Sequence, residues 1–154
     1  MKDSKTKAFY EKGLQFKCQG SGKCCVSRGE YGFVYMTKKD ISKMAKLLKM
    51  NQKSFSSQYL DRTSETPHLI QPQDTEDCIF LKDNRCSVYL ARPTQCRTWP
   101  FWPENMNSRA WKRDVVAFCP GASVRGKDAL VPGKEIEKQL REQMTSEAEL
   151  FGEN

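Results

Sequence analysis

The sequence predicts an α+β fold: a small, loop-rich single domain with short strands around a cysteine metal cluster and helices flanking it. Three observations carry that expectation. The chain has 154 residues, the size of one ordinary domain. Seven cysteines are spread from Cys18 to Cys119 through segments punctuated by glycine and proline. Apolar residues recur at helical spacing in only a few stretches, which leaves the cysteine-bearing chain to turns and short strands.

Taken in order, residues 1–13 form a polar, flexible lead-in, although Phe9, Tyr10, Leu14 and Phe16 can pack as the chain enters the first cysteine cluster. That cluster, FKCQGSGKCC at 16–25, reads as a loop, since Gly20 and Gly22 permit the tight backbone a metal-binding knuckle needs. Residues 31–36 are aromatic and β-branched and predict a short strand, with Gly32 at a bulge. Thr37 is then an N-cap with Asp40 three residues on, and Ile41, Met44, Ala45 and Leu48 mark one buried helical stripe. Phe55 and Tyr59, four apart, predict a second short helix.

From Arg62 to Asp77 the chain is turn-rich, and lone His68 there is expected to be exposed. Cys-Ile-Phe-Leu, a turn at Asp83 and Asn84, and Cys-Ser-Val-Tyr-Leu read as a hairpin carrying Cys78 and Cys86. The segment RPTQCRTWPFWP, around Cys96, is too rich in proline for a helix or a central strand. A short strand is expected at 115–118, and a last helix over about 134–150 with Ile136, Leu140 and Met144 inward. The organisation expected is a lead-in at 1–13, a cysteine-cluster domain at 14–126, and a C-terminal helix at 127–154 that packs on it or extends from it.

Apolar residues at 38% and charged residues at 29%, with a mean hydropathy of -0.74, describe a soluble chain that folds around a modest core. No run of apolar residues is long enough to cross a membrane, and the N-terminus has no stretch of signal-peptide length. A cytoplasmic location is therefore expected. The net charge of +7 reads chiefly as solvated lysine faces, and nucleic acid is not the expected partner.

In a reducing compartment seven cysteines call for metal rather than disulfides, and an odd number cannot pair fully within one chain. The candidate ligands are Cys18, Cys24, Cys25, Cys78, Cys86, Cys96 and Cys119. No CxxC occurs, which argues against a thioredoxin-like redox pair or a zinc ribbon. Soft thiolates select zinc or iron–sulfur clusters, and the count does not choose between them. Proline after Cys119 and an aromatic shell of Trp99, Phe101, Trp102 and Trp111 tilt the reading toward a 4Fe-4S cluster. Adjacent Cys24 and Cys25 diverge in extended backbone, so they do not naturally chelate one small ion.

Three segments, F-x-C with G-K-C-C at 16–25, C-I-F-L through R-P-T-Q-C-R-T-W-P-F-W at 78–102, and W with C-P-G and a later glycine at 111–126, together resemble the YkgJ family of cysteine-cluster proteins, also described as a zinc- or iron-chelating domain. The V-Y-x-T-x-x-D element at 34–40 belongs to the same resemblance. It implies a metal-binding cysteine cluster. A related module accompanies flagellin lysine methylases, which makes an enzyme subunit supporting protein-lysine methylation or electron transfer the alternative reading, with a partner enzyme supplying the catalytic site. The family pattern has a further cysteine where this chain has Ser21, so eight thiolates for two complete four-cysteine sites are absent. Either one site has a noncysteine or open position, or only one site exists.

Arg92 and Arg97 flank Cys96 closely and are expected beside the sulfur cluster, offsetting its charge. His68 is a second candidate for a missing ligand. One histidine supports no Ser-His-Asp set, and neither a phosphate-binding G-x-x-x-x-G-K-[ST] nor H-E-x-x-H occurs.

Overall fold

The computed structural model describes residues 4–18, 33–61, 63, 65–75 and 77–152. Within the polar lead-in, Ser4–Tyr10 forms helix α1, and Tyr10 at its end is buried. Gly13, at φ +90°, turns the chain into strand β1, Leu14–Gln15; a side chain there would be strained and would meet the Val131 carbonyl at 2.7 Å. β1 pairs antiparallel with β6, Leu130–Val131.

Helix α2 spans Lys38–Leu47 and begins at a full capping box. Thr37 Oγ1 accepts from the Asp40 N–H, and Asp40 Oδ2 accepts from the Thr37 N–H, both at 3.1 Å. Its stripe is the expected one: Met44 and Ala45 are buried, with Ile41 and Leu48 packed on the same cluster. Helix α3, Gln52–Tyr59, starts at Asn51, whose Oδ1 accepts from the Ser54 N–H at 2.7 Å, and it buries Phe55.

Strands β2, Leu60–Asp61, and β3, His68–Leu69, pair next. The strand expected over 31–36 shrinks, in its described part, to one bridge between Tyr35 and His68. The physical reason lies on its other edge: the Gln95 side chain donates to the Phe33 carbonyl and accepts from the Tyr35 N–H, both at 3.1 Å, in place of a backbone neighbour. Residues 31 and 32 lie outside the described residues.

The hairpin is as expected: β4, Leu81–Lys82, pairs with β5, Arg85–Cys86, through Asp83 and Asn84 at φ 52° and 62°. The proline-rich segment, against expectation, does hold a short helix, α4, at Thr94–Thr98. Pro93 stands just outside its first turn and removes no helical hydrogen bond there. The strand expected at 115–118 is also absent. Asn107 Oδ1 caps α5, Ser108–Ala110, by accepting from the Ala110 N–H at 2.9 Å, and the chain continues into a widened turn, Trp111–Val116. Trp111 and Val115 are both buried, four residues apart, which is helical spacing. Helix α6, Gly133–Phe151, closes the chain and buries Ile136 and Leu140.

Two hydrophobic cores form among the described residues. The first joins Tyr10, Trp99, Phe101, Trp111, Ile136 and Leu140. The second gathers Met36, Met44, Phe55, Leu69, Phe80 and Val88, with Cys78 and Cys86 against it. α6 serves both sides. Thr98 donates from Oγ1 to Gln143 Oε1 at 2.9 Å, and Arg97 forms an ion pair with Glu142. Farther along α6, Glu149 Oε2 accepts the Lys38 N–H at 3.0 Å, and Phe151 meets the Tyr35 ring edge to face at 5.0 Å. No helix among the described residues is long and apolar enough to cross a membrane.

Candidate metal centre

Four of the predicted ligands come to one place. Cys18, Cys78, Cys86 and Cys96 line a single cavity of about 470 Å³, together with Arg85 and Arg92. Its walls are otherwise those of the second core, including Val34, Met44, Leu69, Phe80 and Val88. The four come from three stretches of chain: Cys18 follows β1, Cys78 precedes the hairpin and Cys86 lies in its strand β5, and Cys96 lies in α4. Cys18 is exposed, and the other three are half-buried.

The elements are fixed by polar links that the sequence motifs encode. Asp40, buried at the start of α2, reaches 54 residues along the chain to Thr94, at the start of α4. Its Oδ1 accepts from the Thr94 N–H at 3.0 Å and from Thr94 Oγ1 at 2.8 Å. With the Gln95 side chain on Phe33 and Tyr35, this binds the V-Y-x-T-x-x-D element to the R-P-T-Q-C element and sets the helix that carries Cys96. The hairpin is held by Ser87, whose Oγ donates to the Phe80 carbonyl at 2.7 Å.

Cys119 is buried and does not line the cavity. Its loop is nonetheless fastened to the first cysteine segment: the Lys17 N–H donates to the Gly121 carbonyl at 3.0 Å. A Cβ at Gly121 would sit 2.6 Å from the Lys17 carbonyl oxygen, so the approach of the two backbones explains the glycine in C-P-G. Cys24, Cys25 and Ser21 lie outside the described residues.

Three expectations about neighbouring residues are corrected. His68 is buried rather than exposed, stacked on Phe33 with ring centroids 4.0 Å apart and edge-on to Tyr35. Its Nδ1 faces the Leu69 carbonyl at 2.9 Å, and since a carbonyl only accepts, Nδ1 carries a proton. His68 does not line the cavity. Arg97 is turned to Glu142 on α6, and the second cation at the cavity is Arg85. Its position in the hairpin, between the Asp83–Asn84 turn and Cys86, is the signal that would have found it. The aromatic shell is also placed differently: Trp99, Phe101 and Trp111 fill the first core.

The donor chemistry fits a thiophilic metal: four thiols lining one cavity, an apolar surround, and cations to offset thiolate charge. Among the described residues no three acidic, histidine or cysteine groups are drawn together closely enough to hold an ion. Gathering ligands from distant parts of one chain onto a metal would couple metal affinity to folding.

The fold and the cavity define a small α+β module with cysteines gathered from distant parts of one chain. The match to known families agrees: residues 17–120 match the CxxCxxCC family, described as "Putative zinc- or iron-chelating domain", and the chain belongs to this YkgJ-type family. No solved structure matches the chain.

Proposed function

We propose that this chain binds iron, as a 4Fe-4S cluster, in preference to zinc, and serves as a redox or metal-handling module for a partner enzyme in the cytoplasm. The observation that carries the reading is the lining of one cavity by Cys18, Cys78, Cys86 and Cys96. These four are the primary ligands. Cys24 and Cys25, the adjacent pair within the matched cysteine-rich region, complete the set. Cys119 joins the set through the Lys17–Gly121 link and requires its buried side chain to turn toward Cys18.

Iron is favoured by the surroundings. Cluster stability and potential depend on burial and on donors around sulfur, and this cavity joins an apolar wall to two guanidinium groups. When bound, the cluster would supply one-electron chemistry; the chain's own residues hold it and shield it from water. The test is anaerobic purification followed by iron, zinc and acid-labile sulfide analysis with a visible spectrum. Brown protein with iron and sulfide in comparable amounts is the expected result. Colourless protein with stoichiometric zinc overturns the iron assignment, and protein that takes up neither metal overturns the metal reading as a whole.

A further inference from the structure

We propose that Arg85 and Arg92 together supply the counter-charge of the thiolate centre, and that Arg97 has no part in it. The inference rests on the metal reading above and deepens it. Four thiolates around a dicationic centre, whether a zinc ion or an oxidised four-iron core, leave a residual double negative charge in a partly apolar cavity. Such charge is costly to hold away from water unless it is offset.

The cavity carries the offset. Arg85 and Arg92 both line it, and no acidic side chain among the described residues does. Neither arginine forms an ion pair among the described residues, whereas Arg97 is committed to Glu142 and Arg113 to Asp114. Arg92 is held without a carboxylate: its Nε donates to the Tyr89 carbonyl at 3.2 Å, and its guanidinium carbon lies 3.9 Å over the Tyr89 ring. Arg85 pairs with Lys82 across the hairpin, so its neighbour in the ladder is another cation. Two fixed positive charges thus face a cavity whose own source of negative charge is deprotonated cysteine. A guanidinium stays charged at any working pH, which suits a permanent counter-ion.

The experiment compares metal retention by the full chain during challenge with excess EDTA, anaerobically and at low salt. R85Q/R92Q is expected to release metal faster than the unsubstituted chain, on the order of tenfold, with the difference shrinking in high salt as screening takes over. R85K/R92K, which keeps the charge but not the guanidinium geometry, restores most of the retention. R97Q, which loses only the contact to Glu142, releases metal like the unsubstituted chain. Because Arg85 is exposed on the hairpin, R85Q alone keeps the fold and shows part of the effect. Equal release by R85Q/R92Q and the unsubstituted chain overturns the inference while the metal reading stands. So does faster release by R97Q to the same degree. An unsubstituted chain that never loads metal overturns the metal reading itself.

Discussion

Asp40 and Thr94, 54 residues apart, are joined by two hydrogen bonds of 3.0 and 2.8 Å, and through them the N-terminus of α2 fixes the N-terminus of α4. The same carboxylate closes the capping box with its other oxygen. One buried side chain therefore serves three donors, at the starts of two helices.

Asp40→Ala removes all three acceptor contacts and leaves the N–H groups of Thr37 and Thr94 without that partner. Bonds to a charged acceptor with buried donors left behind predict a loss of about 3 kcal/mol. Urea unfolding at unchanged m-value reads it as a lower midpoint. Asp40→Asn keeps one acceptor oxygen but turns an amide toward the other donors, so it falls between the two.

Gly121→Ala places a methyl group 2.6 Å from the Lys17 carbonyl and 3.0 Å from the Phe16 ring. Backbone must give way, at a cost of about 1–3 kcal/mol. The displaced segment leads directly to Cys18, so metal content per chain is expected to fall together with the thermal midpoint.

Thr98 is fully buried, donates to Gln143 Oε1, and accepts from Trp102 Nε1 at 3.2 Å. Thr98→Val keeps the shape and removes both contacts, while Trp102 retains the Gln95 carbonyl at 3.1 Å. A loss of about 1–2 kcal/mol is expected by denaturant titration. Thr98→Ser, which keeps the hydroxyl, recovers most of it.

Serine replacements rank the cysteines. Cys78→Ser, Cys86→Ser and Cys96→Ser each remove a thiol from the cavity and are expected to abolish most metal binding, whereas Cys119→Ser reduces it less. Metal analysis of the anaerobically purified variants gives the order directly. Equal loss at Cys119 would mean that this buried side chain reaches the metal as fully as the other three.

Much of this was legible from spacing. The hairpin followed from Asp83–Asn84 between two apolar runs, α2 from Thr37 and Asp40 before a helical stripe, and α6 from Ile136 and Leu140. What spacing did not reveal was decided by contacts distant in sequence. Gln95 stands in for a strand beside residues 33–35, so local β-propensity overstated that strand. Trp111 and Val115 are β-formers that the first core takes at a helical interval. His68 is buried by Phe33 and Tyr35, which no window around His68 contains. Likewise, proximity to Cys96 suggested Arg97 as a counter-ion; Glu142, 45 residues away, claims it.

The family match ends at residue 120, yet α6 begins at Gly133. Its first half supplies Ile136 and Leu140 to one core, and its second half holds Arg97, Thr98 and the start of α2. The evolutionary unit and the cooperative unit therefore have different edges. A fragment cut after residue 126 keeps every cysteine but loses the brace that ties the first core to α4 and to the start of α2. It is expected to unfold in a broad, weakly cooperative transition where the full chain shows a sharp one, so the ligands alone do not make the module.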